Sequence, residues 1–186
     1  MAIAEQPLTL EAFLCLPEKK PALEFEEGTV TQKVSPKGKH SLVQFAIAES
    51  VNHALRRRQL GWAFVELRAT FGGHSYVPDV SVYRQERIPV DNDGRVADDF
   101  REPPDVAIEI VSPGQRPNAL MQRCLWFVAH GVHLAVLVDP ADESVLIVRP
   151  DGLPTALRGT GTIDLTSALP GLTLDISEVF AALRIK

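Results

Sequence analysis

Cysteine is nearly absent: Cys15 and Cys124 are the two thiols in 186 residues. They are too few for a disulfide framework, and alone they cannot make a thiolate zinc site. Both fall on apparent helical faces, where two buried thiols are expected and a disulfide lacks support. No apolar run approaches the ~20 residues of a membrane helix. The opening stretch MAIAEQPLTLEAF has neither a basic region nor a long apolar one. No signal peptide is read there, and a cytoplasmic location follows by default.

Histidine is also sparse, five residues without a His-x-x-Glu-His spacing. Aromatics reach only 6% and are scattered, too thin for a base-stacking platform, so Trp62 and Trp126 are expected as core or interface anchors. Positive charge falls short as well. A formal net charge of −5 argues against a strongly basic nucleic-acid coat. It leaves room for a local cationic track on one face.

What the chain does have is ordinary globular material, 45% hydrophobic and 23% charged, in a length that suits one domain over residues 1–186. No repeat, low-complexity tract or linker interrupts it. Leu8 to Leu16 reads as a short helix with Thr9 as N-cap and Pro17 as the stop. Leu23 to Glu26 and Thr29 to Val34 flank Glu27-Gly28 as a β-hairpin. From about Lys39 to Leu60, apolar residues at Leu42, Val43, Ala46, Ile47, Val51, Ala54 and Leu55 make one face of a long helix. Arg56-Arg57-Arg58 at its end suits the negative pole of the helix dipole; the alternative is a phosphate track.

Beyond Gly61 the pattern becomes strand-like. Ala63 to Phe71 alternates as a half-buried strand, and Gly72-Gly73 turns it toward a second strand over Val77 to Tyr83. Gln85 to Pro104 is polar and reads as an exposed loop or lid, its acids from Asp91 to Asp99 lacking EF-hand spacing. Val106 to Val111 is a strand, Asn118 to His130 a helix, and Leu134 to Val138 pairs back with Val145 to Val148. A strand near Thr162 to Leu165 and a helix over Ser177 to Leu183 finish an α/β sheet wrapped by a few helices.

Two acids stand out from this frame. Asp79 follows Pro78 at a strand, and Glu109 stands alone inside Val106 to Val111, an otherwise apolar run. An isolated buried carboxylate is costly unless it is paired, protonated or bound to a cation. Two of them on neighbouring strands make a plausible divalent-metal site, of a kind suited to phosphodiester hydrolysis. The plainer alternative for Asp79 is a turn or salt-bridge residue.

The ordered set of pieces resembles the PD-(D/E)XK restriction-endonuclease-like fold, a mixed sheet core flanked by helices with an N-terminal helix and β-hairpin. More narrowly, it is similar to the Uma-two family. The pieces are Leu8 to Leu14, Leu23 to Gly28, Ser35-Pro36 shortly before His40, Val77-Pro78-Asp79-Val80, Pro104 to Pro113, Gly131-Val132 and Val138-Asp139-Pro140. The resemblance implies a metal-dependent endonuclease acting transiently on DNA, with Asp79 and Glu109 as ligands of Mg2+ or Mn2+ and the Ile110 carbonyl as a third. It also implies a homodimer, since cutting both strands needs two sites.

This chain departs from the pattern in two places. The lysine expected two residues after the acid is Val111. The family's replacement lysine, on the following helix, corresponds to Arg123, with Ala119 where aspartate is usual. Arginine can clamp a phosphate through two hydrogen bonds but does not readily give up a proton; its plain alternative is a solvated helix residue. His40, near the start of the long helix, is a further candidate for orienting water or an acid, and Glu24 a candidate extra carboxylate from the hairpin. Gln115 is expected to be a loop residue, and His53, His74, His130 and His133 surface or packing residues. The altered helix and the acidic charge favour the rival reading, a nuclease fold retained as a binding, assembly or regulatory module.

Overall fold

Turn chemistry in the first hairpin sets up a small sheet. In the computed structural model, which describes residues 8–184, β1 (Leu23–Glu26) and β2 (Thr29–Gln32) pair antiparallel with Phe25 opposite Val30. Glu27 and Gly28 both take positive φ to turn the chain. The helix before them, α1 (Leu10–Leu14), starts at Thr9, whose hydroxyl oxygen accepts the Ala12 N–H at 3.2 Å. The first seven residues of the stretch read as leaderless lie outside the described residues.

The long amphipathic stretch is α2 (Gly38–Arg58), which buries Val43, Ile47, Val51 and Leu55, one residue per turn along a single face. After it come β3 (Gly61–Val65), β4 (Ala69–Phe71), β5 (His74–Tyr76), β6 (Val80–Arg84) and β7 (Val106–Ile110). Then follow α3 (Pro117–Ala129), β8 (Leu134–Asp139), β9 (Ser144–Val148), β10 (Thr155–Arg158), β11 (Thr162–Asp164), β12 (Thr173–Asp175) and α4 (Ile176–Ala181). A six-stranded sheet in the order β10-β9-β8-β7-β6-β3 forms the centre, and the hairpin joins a four-stranded sheet in the order β2-β1-β5-β4. β7 and β8 are parallel, with α3 as their crossover; the other pairs of the large sheet are antiparallel.

Helices cover both faces of the large sheet. Val80, Val82, Val106, Ile108, Ile110, Val136 and Val138 pack with the buried face of α2. Ala107, Ala135 and Leu137 pack with Leu120, Cys124 and Phe127 of α3. Covering β7 from both sides explains its apolar run, interrupted only by Glu109. It also decides where Glu109 points: with Ala107, two residues away, it shares the α3 face.

Several expectations change here. The alternating stretch from Ala63 to Phe71 is two strands in two different sheets, broken at Glu66, which takes φ 51°. The strand expected from Val77 starts only at Val80, so Asp79 sits on the connection that enters β6. The segment from Gln85 to Pro104 is not a free lid. Ile88 and Phe100 are buried against Tyr83, and the Thr70 N–H donates to the Phe100 carbonyl at 2.9 Å. Buried Asp105 draws in Arg84, Arg87 and His133 at 3.4, 2.8 and 3.2 Å and pins its far end. Cys15 is exposed rather than buried, because it caps α1 instead of lying on its inner face. β10 and β12 were not anticipated, being short and flanked by polar turns. Among the described residues no helix is long and apolar enough to cross a membrane.

Candidate active site

The connection into β6 and the strand β7 bring the two acids together. Val80 lies opposite Ile108, so Asp79 falls just beyond the paired register, near Glu109 and Ile110. Asp79 Oδ2 accepts the Ile110 N–H at 2.6 Å. Its other oxygen, Oδ1, accepts from Lys33 Nζ at 2.7 Å and lies 3.4 Å from His40 Nε2. Burial opposes charge on Asp79, but His40 and the Lys33 ammonium prevail and hold the carboxyl below its usual pKa.

Lys33 follows β2 directly and is nearly enclosed. Besides Asp79 it donates to the Val77 carbonyl at 2.7 Å and to both Glu66 oxygens at 3.2 Å. Burial would lower its pKa, yet Asp79, Glu109 and Glu66 together hold it well above the ordinary lysine value. Gln44 on α2 ties the same corner, donating to Glu66 Oε1 at 3.0 Å and to the Asp79 carbonyl at 2.9 Å. His40 is buried and its Nδ1 lies 2.9 Å from Ser112 Oγ, while its Nε2 has no hydrogen-bond partner. Protonated on Nε2, the ring faces Asp79 Oδ1; with the proton on Nδ1 and shared with Ser112, Nε2 instead offers a lone pair to a cation. His40, Glu66 and Asp79 each offer a ligand atom within 4.8 Å of the others. Carboxylate oxygens, a carbonyl and one imidazole form a donor set that suits Mn2+ and tolerates Mg2+.

Glu109 behaves differently. Complete burial dominates, and even with Arg123 opposing it the carboxyl is pushed up to about 8, the Asp79 charge adding to the rise. Arg123 Nη1 is 3.5 Å from Glu109 Oε1. Its closer partner is Glu24, joined to Nη1 and Nη2 at 3.1 and 2.8 Å, and the guanidinium lies 4.6 Å from the centre of the Tyr76 ring. Glu24 Oε1 also accepts the Val77 N–H at 2.9 Å. The hairpin thus grips the strand entry twice, through Glu24 at the Val77 N–H and through Lys33 at its carbonyl.

The five side chains singled out from the sequence fall in two adjoining groups, His40 with Asp79 and Glu24 with Glu109 and Arg123, linked through the backbone of Val77 and Ile110. Ile110 meets them through its N–H. Lys33, Glu66 and Gln44 were missed. Lys33 sits in a strand that looks solvent-facing, and Glu66 occupies what reads as the middle of an alternating strand. The one clue was the position of Lys33 just before Ser35-Pro36 and His40. Gln115 accepts the Ser112 N–H at 2.8 Å, which makes it a loop brace.

Two clefts open beside these residues. One, of about 590 Å³, is lined by Tyr76, Arg116, Ala119, Gln122, Arg123 and Trp126. The other, of about 460 Å³, is lined by Lys37, Lys39, His40, Ser112 and Asp139 among others. Gln115 borders both.

Comparison with known proteins agrees with this architecture. A crystal structure described as a putative nuclease belonging to DUF820, from Anabaena variabilis, superposes with a TM-score of 0.90 at 37% sequence identity. The match covers 96% of this chain and 100% of that one. No curated protein matches the chain. The family described as Uma2, "Putative restriction endonuclease", matches residues 10–177, and with the nuclease-like fold in place, the chain belongs to the Uma2 family.

Proposed function

We propose that the protein is a divalent-metal-dependent endonuclease that hydrolyses phosphodiester bonds in DNA. The observation that carries this reading is the grouping of His40, Glu66 and Asp79 where the chain enters β6, with Glu109 on the neighbouring strand and His40 Nε2 buried and lacking a hydrogen-bond partner. Asp79 and Glu109, with the Ile110 carbonyl, would hold Mg2+ or Mn2+, and Glu66 and His40 extend the donor set. The ion, when bound, supplies Lewis acidity and an activated water.

The chain's own residues do the rest. Ser112 orients the His40 ring, and Glu24 fixes the Val77–Asp79 connection. Arg123 neutralises the acids beside the larger cleft; to hold a phosphate it would have to share its N–H groups with Glu24. Lys37 and Lys39 on one cleft, with Arg116 and Arg123 on the other, furnish a cationic rim despite the net charge of −5. A homodimer would bring two such sites to the two strands of a duplex.

The rival reading, a non-catalytic module, is favoured by one feature. Arg123 is paired to Glu24 at 2.8 Å and lies 3.5 Å from Glu109, so its charge is already taken up within the fold. Cleavage decides between them. Purified protein with Mn2+ should nick plasmid or single-stranded DNA, and Asp79→Ala should lower the rate by at least ~100-fold. Cleavage surviving in Asp79→Ala would remove the metal site from the account. Mn2+ binding without turnover on any DNA form would favour the module.

A further inference from the structure

A lysine ammonium sits among four oxygens in this site, and that arrangement is itself a cation site. Lys33 Nζ lies 2.7 Å from Asp79 Oδ1, 2.7 Å from the Val77 carbonyl and 3.2 Å from each Glu66 oxygen. Its side chain is only 9% exposed. The two acids that touch it, Asp79 and Glu66, belong to the group that could hold a metal with His40. An ammonium can take three N–H bonds and has no use for an imidazole lone pair. The third member of the group, His40 Nε2, is the donor left without a partner.

We propose that Lys33 is the resident cation of this pocket and sets its metal affinity by competing with the divalent ion for Asp79 and Glu66. The inference rests on the metal-dependent reading of the site. A divalent ion binds carboxylate and carbonyl oxygens at about 2.0–2.2 Å. It cannot reach the Asp79 and Glu66 oxygens while an ammonium lies between them, since the two positive charges would be nearly in contact. Metal entry therefore requires Lys33 to withdraw, and the unused His40 nitrogen then becomes a ligand. β2 makes such a withdrawal feasible: its residues are all exposed, and it is the outer strand of its sheet.

A purely structural Lys33 would behave in the opposite way. If the ammonium only ties the hairpin to the Val77–Asp79 connection, removing it loosens the acids and weakens metal binding. Mn2+ titration by calorimetry on wild type, Lys33→Met and Lys33→Arg separates the two. Competition predicts binding at least ~10-fold tighter in Lys33→Met, the size of an ordinary coupling between two ligands. Lys33→Arg, which keeps the charge, should stay within about threefold of wild type.

Equal or weaker binding in folded Lys33→Met overturns the proposal. Should Lys33→Met be unfolded alone, Mn2+ is expected to restore its circular dichroism by replacing the lost charge, and failure to restore it overturns the proposal as well. Mn2+ bound equally by wild type and Lys33→Met sinks the competition and leaves the metal site standing. Mn2+ bound by neither sinks both. Binding by Lys33→Met with none in wild type supports the competition in its strongest form.

Discussion

Glu109→Gln is expected to make the metal-free protein more stable by about 3–5 kcal/mol at pH 9, with the gain vanishing near pH 4. The cause is the burial of Glu109, which lifts its carboxyl from 4.5 to about 8 in the folded chain. Below the unfolded value both states carry the proton, and glutamine brings no advantage. As the pH rises through that value, the unfolded chain releases the proton while the folded one keeps it, so the wild type loses stability relative to the unfolded chain. Above about 8 the cost is complete, because the folded state must then hold a buried anion.

Arg123 from α3 and Lys33 from the hairpin reduce that cost, while Asp79 beside β6 and Glu24 on β1 raise it. Glutamine has nearly the shape of the protonated acid and nothing to titrate. Urea unfolding midpoints for both proteins between pH 4 and pH 9 test the claim. A difference that does not change with pH would show that Glu109 titrates alike in the folded and unfolded chains, and so carries no burial cost. The same substitution should weaken Mn2+ binding, since a charge tolerated at a loss in the empty fold is what a cation uses.

The main strands and helices were readable because local pattern and tertiary role agree in them. The α2 stripe is regular, the Glu27-Gly28 turn has its expected chemistry, and β7 is apolar apart from Glu109 since both its faces are covered. The acids were readable for a related reason: charge inside an apolar strand contradicts its surroundings, and such contradictions tend to mark sites. What escaped depends on long-range geometry. Lys33 reaches Asp79 across 46 residues of chain. Glu66 looked like the polar face of one strand because the break at its positive φ leaves no pattern behind.

The departures at Val111 and Arg123 also look different in three dimensions. Val111 packs at the margin of the α3 cluster, and its N–H donates to the Val138 carbonyl at 2.8 Å. The positive charge absent from that position is delivered instead by Lys33, just after β2, and from α3 by Arg123. Two cations thus flank Asp79 and Glu109, each with its own carboxylate partner, Glu66 for Lys33 and Glu24 for Arg123.

Replacing Arg123 by methionine decides how much of that second cation serves the fold. Methionine keeps most of the volume against Tyr76 and removes the charge, leaving Glu24 and Glu109 without their partner. Losing one member of a buried pair costs about 3–5 kcal/mol. At pH 7 Glu109 escapes much of this, because its carboxyl already favours the proton there. Glu24 is 3% exposed and tied to the Val77 N–H, so it bears the loss. A destabilisation near the lower limit, about 3 kcal/mol, is therefore expected, or roughly 10 °C in melting temperature for a chain of this size. Adding Glu24→Gln should recover most of it, with a coupling of about 2 kcal/mol in the double-mutant cycle. A loss below about 1 kcal/mol with no coupling would mean the Glu24 pair contributes little. The guanidinium would then be available to a phosphate in the cleft it lines. A full loss with recovery by Glu24→Gln would show that Arg123 first holds the hairpin against the acids, and that any contact with a phosphate must compete with Glu24.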